Sequence, residues 1–434
     1  MEIRRHHLAS LDSDGRRALL QRVQQEVPPE VAATVAEVVA AVRDEGDAAL
    51  LRYTERFDGV RLDASRIAVS SDELLGAGDR LDAATRAAVE TAVRGIRVHH
   101  EAQRPRADWM RETHPGVTTG ERFLPIASAG LYVPRGKGSF PSVMAMLTVP
   151  ASIAGVSQVV ACTPPGLEGE VDAASLYAAS LSDVTTVLRV GGAQAIAALA
   201  YGTESVPKVE KIVGPGNQYV TYAKRLLYGV VDPGPPAGPS ESIVLADASA
   251  DPRTAAIELL VEAEHGPDSA ALLVTDSAAL ADEVASLLPA LVAELPSPRR
   301  EFCTTVLARY GGIVVAADFD DALAFCNEWA PEHLHVLAAD PFGVLPRIVN
   351  AGEVLLGPHA SIAVGNYVAG VNAILPTGGF ARSYSCVGVE DFVKRSSFAY
   401  VAKSGAPAVA EAAATLADYE GFPAHARAAR HAGS

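Results

Sequence analysis

From about residue 125 onward the sequence alternates short apolar runs with helical stretches or Gly/Pro turns, and this alternation is its tightest constraint on folding. Leu131-Tyr132-Val133, Gln158-Val159-Val160-Ala161-Cys162, Thr186-Val187-Leu188-Arg189-Val190 and Lys211-Ile212-Val213 form one series. A second follows the Pro/Gly-rich stretch Asp232 to Pro239, with Ile243-Val244-Leu245-Ala246, Ala271-Leu272-Leu273-Val274-Thr275, Ile313-Val314-Val315 and Leu334-His335-Val336-Leu337. Strands alternating with helices in this way build parallel βαβ units, with helices covering the sheet.

The economical reading is an α/β protein of two Rossmann-like, incomplete, parallel-sheet units plus a small helical C-terminal region. Residues 126–239 form one unit. Residues 240–380, together with 1–125 and its N-terminal helices, form the other, and residues 381–434 form the helical region. Pro28-Pro29-Glu30 opens a helical pattern to residue 57, with Val31, Val35, Val38, Val39 and Val42 at three- and four-residue intervals. The Ala-rich stretch Ala406 to Ala417 is a helix former by propensity.

With 434 residues, 49% of them hydrophobic, the chain is long enough for more than one buried core. Lys and Arg total 36 against 52 Asp and Glu, a net charge of -16, which opposes a broad nucleic-acid or membrane-surface role. The start, Met1-Glu2-Ile3-Arg4-Arg5-His6-His7, has no apolar core of signal length, and later apolar runs are interrupted, so a cytoplasmic location is expected. Cys162, Cys303, Cys326 and Cys386 form no CxxC pair and read as reduced, buried thiols.

Two groups of residues carry chemistry. Glu262 and His265 are three apart near the end of a helical pattern from Pro252, so their side chains leave one face and can converge on one ion. Glu332 and His333, in Ala330-Pro331-Glu332-His333-Leu334, place two general bases side by side, as a two-step oxidation of an alcohol requires. Alone, either pair also fits a solvated surface. The dinucleotide fingerprint GxGxxG is absent. Gly191-Gly192-Ala193-Gln194 and Gly214-Pro215-Gly216-Asn217 instead form strand-to-helix turns where a backbone can approach a ligand closely. Arg135 and Lys137 add two positive charges to the preceding turn, suited either to plain solvation or to an anionic substrate group or cofactor phosphate.

Together with Glu262-Ala263-Glu264-His265-Gly266-Pro267-Asp268-Ser269, Gly365-Asn366-Tyr367 and Glu420-Gly421-Phe422-Pro423-Ala424-His425, these segments make the chain resemble the histidinol dehydrogenase family over nearly its whole length. The resemblance implies NAD, contacted by Tyr132, Gln194 and Asn217, and one zinc per subunit held by Glu262, His265, Asn366 and His425. It implies Glu332 and His333 as catalytic, and Ser240 and Glu420 on the substrate side. It also implies an intertwined homodimer whose C-terminal region reaches into the partner's site.

Where the family usually has Gln, Asp and a substrate-contacting His, this chain has Glu262, Asn366 and Ala373. The first two exchanges compensate in formal charge, which favours a retained divalent cation. The expectation is therefore an NAD-dependent, zinc-assisted oxidation of a primary alcohol through the aldehyde to the carboxylate, on a polar or anionic alcohol other than histidinol. L-histidinol itself is the alternative substrate, and a non-catalytic binding protein of the same fold is a second alternative.

Overall fold

A computed structural model of the protein describes residues 1–21, 27–104, 107–135 and 138–434. Its strands are β1 (Arg5–His7), β2 (Trp109–His114), β3 (Val117–Pro125), β4 (Ser128–Tyr132), β5 (Gln158–Cys162), β6 (Thr186–Leu188) and β7 (Lys211–Val213). There follow β8 (Glu241–Ala246), β9 (Ala270–Thr275), β10 (Gly312–Val315), β11 (His333–Leu337), β12 (Glu353–Leu356) and β13 (Val393–Val401). They assemble into two parallel sheets, β6-β5-β4-β7 and β1-β10-β9-β8-β11-β12, and one antiparallel sheet, β13-β3-β2.

Both parallel sheets are wound alike. β4 lies between β5 and β7, and β8 lies between β9 and β11. At each of these places the winding reverses, so successive connections leave on opposite faces and a crevice opens between them. β4, β8, β9, β10 and β11 are buried at every residue, which is why β9 and β10 run apolar without alternation, while β8 and β11 bury Glu241, Ser242, His333 and His335 among their apolar residues. The expected α/β class with two incomplete Rossmann-like units is the architecture found. Among the described residues no helix is long and apolar enough to cross a membrane.

The N-terminal helices belong to the other unit from the one expected. The patterned run forms two helices, Pro29–Glu45 and Asp47–Asp58, separated at Gly46 with φ 58. Val31, Val35, Val38, Val39 and Val42 are all buried against Ala195 to Ala200, Val220 and Ala223, on the four-stranded unit. Each such side chain contributes about 1.5–3 kcal/mol by burial, and that fixes the assignment. The Ala83–Glu101 helix packs there too, against Met144 to Ala151. Of the first 125 residues, β1 joins the six-stranded sheet, and Leu8 and Leu19 enter its core with Ile3, Leu11 and Leu20 packed beside it.

The tail also differs from expectation. Residues 381–434 are not purely helical, because β13 pairs along its whole length with β3. A nine-residue strand with Phe398, Tyr400 and Val401 suits an exposed, pleated surface better than a helix. The helices Ala406–Tyr419 and Pro423–Ala432 follow it.

Candidate active site and cofactor cleft

Three strands of the six-stranded sheet begin at one level. Register pairs His333 with Ser242 of β8 and with Glu353 of β12, and Glu241 with Ala270 of β9. The amino ends of these strands therefore gather Glu241, Ser242, His333 and Glu353, with Glu332 just ahead of β11. The chain reaches this point from the helix Phe319–Trp329, which ends on buried Ala330 at φ 52. A left-handed non-glycine residue costs about 1–2 kcal/mol. The strain lies immediately before Pro331, Glu332 and His333, where it aims both side chains inward.

The His333 ring is 2% exposed. Its Nδ1 lies 2.7 Å from Oε2 of Glu353, an acceptor, so Nδ1–H donates there. Nε2 is then directed toward Oε1 of Glu262 and Oε1 of Glu332, each 3.9 Å away. Glu332 is held at its other oxygen by the backbone N–H of Glu241, at 2.7 Å. Burial alone would lower the pKa of His333, but Glu262, the hydrogen bond to Glu353 and the charge of Glu332 outweigh it and raise it to about 9. Burial pushes Glu332 well above the usual carboxylate range, with His333 pulling it down and Glu262 pushing it up.

The helix Pro252–Ala263 runs back against β8 and ends at this same level. Glu262, in its last turn, is 1% exposed. Its Oε2 lies 3.1 Å from Nδ1 of His265, and its Oε1 accepts from Nδ2 of Asn366 at 3.0 Å. Asn366 sits near the end of the short helix Ile362–Tyr367. His265 Nδ1 is also 3.1 Å from the carbonyl of Val261, which leaves Nε2 with its lone pair outward. Oδ1 of Asn366 is buried without a hydrogen-bond partner.

A carboxylate, an imidazole nitrogen and an orphaned amide oxygen form a donor set that fits zinc. Both helices also offer their carboxyl ends, where unpaired carbonyls leave partial negative charge. Among the described residues no group of three or more His, Cys, Asp or Glu side chains is placed to hold a metal ion. His425 is not beside them in the same chain. It lies exposed on the helix Pro423–Ala432, its ring 5.3 Å from that of Phe422, and Glu420 is likewise exposed. Ser240 directly precedes Glu241 at the start of β8, on the sheet edge where His333 lies.

Tyr132, Gln194 and Asn217 line a second place, a cleft of about 920 Å³ at the carboxyl ends of β4, β6 and β7. Gln194 stands in the first turn of the helix Gly192–Tyr201. Asn217 caps the helix Gln218–Leu226, accepting from the N–H of Tyr219 at 3.0 Å and of Val220 at 3.1 Å. Two helix N-termini thus open on one cleft, a ready site for a diphosphate. The hydroxyl of Tyr132 accepts from the N–H of Gly192 at 3.1 Å, and both amide atoms of Gln194 are buried without a partner. Gly214 has φ 129, and a Cβ there would fall 2.1 Å from the carbonyl of Tyr132, so only glycine lets β4 and the turn after β7 approach this closely. Arg135 lines this cleft rather than the cluster around His333, and Glu170 holds its guanidinium at 3.0 Å. Lys137 lies outside the described residues.

A sequence model of histidinol dehydrogenase matches residues 20–432. The chain belongs to the histidinol dehydrogenase family. It is 50% identical over 411 residues to the histidinol dehydrogenase of a Synechocystis species, covering 95% of each chain. It is 48% identical to a histidinol dehydrogenase homolog of Cereibacter sphaeroides, covering 97% of this chain and 96% of that one. The crystal structure of histidinol dehydrogenase from Elizabethkingia anophelis superposes with a TM-score of 0.92 at 33% identity, covering 99% of this chain and 98% of that one. As a histidinol dehydrogenase family member, the protein is an oxidoreductase acting on alcohol and aldehyde. The family's reaction is an NAD-dependent, four-electron oxidation of an alcohol to an acid, in which NAD and zinc are typical.

Within the histidinol dehydrogenase frame, the two exchanged residues prove to touch. Glu262 and Asn366 are joined by the 3.0 Å hydrogen bond, so the two positions at which this chain departs from the resemblance are in direct contact. Ala373 packs against the apolar cluster around Met146, and its N–H lies 3.4 Å from the Met146 sulfur. Sequence reasoning missed Glu353, whose signal was an acid opening the apolar run Val354-Leu355-Leu356, and Glu241, whose N–H holds Glu332. It also missed the pair His335 and Glu258, 3.1 Å apart and buried. His335 shares a strand face with His333, and Glu258 precedes Glu262 by one helical turn. Glu258 also accepts the N–H of Ile362 at 2.9 Å, so this pair ties the helix bearing Asn366 to the one bearing Glu262.

Proposed function

We propose that the protein is an NAD-dependent, zinc-assisted dehydrogenase that converts a primary alcohol through its aldehyde to the carboxylate, on a polar or anionic alcohol other than histidinol. The observation that carries the reading is the buried His333 ring, anchored by Glu353 through Nδ1 and open at Nε2 toward Glu262 and Glu332. Glu262, His265 and Asn366 would hold zinc, with His425 supplied by a second copy, and Tyr132, Gln194 and Asn217 would hold NAD. Bound zinc supplies Lewis acidity, and NAD accepts the hydride.

Glu262, engaged as a zinc ligand, would no longer lend His333 the carboxylate charge that most raises it, so that the neutral ring would take the alcohol proton at Nε2 while Glu353 keeps its orientation. In the second half-reaction Glu332, fixed at one oxygen by the Glu241 N–H, takes a proton from the water that adds to the aldehyde. Each oxidation reduces one NAD, and the acid's new oxygen comes from water. Ser240, beside Glu241, and Glu420 are assigned to the substrate, Glu420 acting from the partner copy. Leu416, Tyr419 and Phe422, on the arm that carries Glu420 and His425, are 61%, 90% and 52% exposed. So much apolar surface beside two polar site residues supports a homodimer with shared active sites.

Support for a substrate other than histidinol is Ala373, which contributes no polar atom from its side chain where the family usually has a substrate-contacting His. The 50% identity to a protein named histidinol dehydrogenase favours L-histidinol as the second reading. NAD reduction by the purified protein, with L-histidinol against a panel of polar and anionic primary alcohols and with or without a chelator, decides between them. We expect chelator-sensitive turnover that is faster with a member of the panel; faster turnover of histidinol would overturn the substrate assignment. A protein that holds no zinc and turns over no alcohol would defeat the enzymatic reading altogether.

A further inference from the structure

We propose that Asp58 selects the dinucleotide's unphosphorylated ribose, its carboxylate accepting from the ribose diol and repelling a 2′-phosphate. The inference rests on reading the cleft around Tyr132, Gln194 and Asn217 as the dinucleotide site. Asp58 lines that cleft, where it terminates the helix Asp47–Asp58. Its Oδ2 is buried and has no hydrogen-bond partner. Among the described residues it forms no ion pair.

Two features make a lone carboxylate unfavourable here. It stands at a helix carboxyl end, where the last carbonyls already leave partial negative charge. Its Oδ2 is also withdrawn from water, and burial raises the pKa of the half-buried carboxyl to about 6. An acceptor left in such a place is normally satisfied by something the site binds. A carboxylate accepts and does not donate, so its complement is a pair of hydroxyls, as on a ribose.

The charges around it favour the same ligand. Arg56 lies 3.6 Å from Glu37 and its guanidinium stands over the Phe57 ring, while Arg135 is held by Glu170. The described arginines of the cleft are thus already engaged, and a 2′-phosphate would bring about two further negative charges toward Asp58. Asp58 is also close enough to Tyr132 to oppose ionisation of its hydroxyl, after the larger effect of burial. Both residues line the same cleft.

The test is direct binding of NADH and NADPH to the full-length protein, followed by ligand fluorescence and calorimetry, in the wild type and in Asp58→Asn, Asp58→Ser and Gln194→Ala variants. The wild type should bind NADH about 100-fold more tightly than NADPH, as like-charge rejection predicts. Both Asp58 variants should weaken NADH roughly tenfold and bring the two cofactors to within about tenfold of each other. An unchanged NADH-to-NADPH ratio in both variants overturns the proposal. Gln194→Ala should weaken both cofactors alike; if it binds NADH as the wild type does, the cleft reading itself fails, whatever Asp58 does. Loss of an unpaired buried carboxylate should leave the melting temperature equal or higher, which separates altered recognition from misfolding.

Discussion

In the four-stranded sheet, the residues proposed to face a ligand follow the carboxyl ends of the strands: Tyr132 closes β4, Gln194 comes after β6 and Asn217 after β7. In the six-stranded sheet they stand at the amino ends: Glu241 opens β8, His333 opens β11 and Glu353 opens β12. The two sheets share a winding, and in both the site lies at the point where the winding reverses. What differs is which helix termini are presented. At a carboxyl edge the helices begin, and their N–H groups suit the phosphates of a dinucleotide. At an amino edge they end, and their carbonyls, joined by Glu262 and His265, suit a cation. On the proposed reading, one winding would yield an anion site and a cation site according to the edge used.

The largest expected effect comes from depriving the amino-edge site of what a second copy would lend it. Removing the residues after 415 should abolish zinc binding and activity, while circular dichroism still reports folded α/β units; a truncated protein with full activity would refute the shared site. Next in size, His333→Asn should slow hydride transfer about 10²–10⁴-fold in single-turnover measurements. NADH binding in the carboxyl-edge cleft should persist in this variant, and an unchanged rate would remove His333 from the base role.

Reversing the exchanged pair sharpens the comparison further. Glu262→Gln alone should weaken zinc binding roughly 10–100-fold, and the double variant Glu262→Gln with Asn366→Asp should recover most of it. A double variant no better than the single one would mean that the two positions are not interchangeable. The smallest effect is one of pH on chelator-treated protein. His333 is raised from 6.5 to about 9, so its contribution to stability is complete below pH 6.5 and is lost as pH rises through 9. Thermal melts across that interval should fall more steeply for the wild type than for His333→Asn, and parallel curves would dissociate His333 from the buried charge cluster.

Much of this was legible in one dimension. The strand runs lie where the apolar sequence placed them, because a strand buried on both faces must be apolar at successive positions. Glu332, His333, Glu262, His265 and Asn366 come together, and Tyr132, Gln194 and Asn217 come together, as the motifs suggested. The exceptions have physical causes. The valine stripe of Pro29–Glu45 revealed a buried face but not which sheet buries it, since apolar contact carries no address. β13 sits in a tail rich in helix formers and owes its conformation to pairing with β3.

The sequence by itself determined the α/β class, the positions of the strands and the residue types of two sites, because periodicity and side-chain chemistry are local properties. Only the tertiary structure decided that Glu353 anchors His333, that Glu262 and Asn366 touch, that Asp58 faces the cleft unpaired, and that the sites occupy opposite strand edges. Those facts depend on register and on the direction in which helices return. Both are set by packing between segments far apart in the chain.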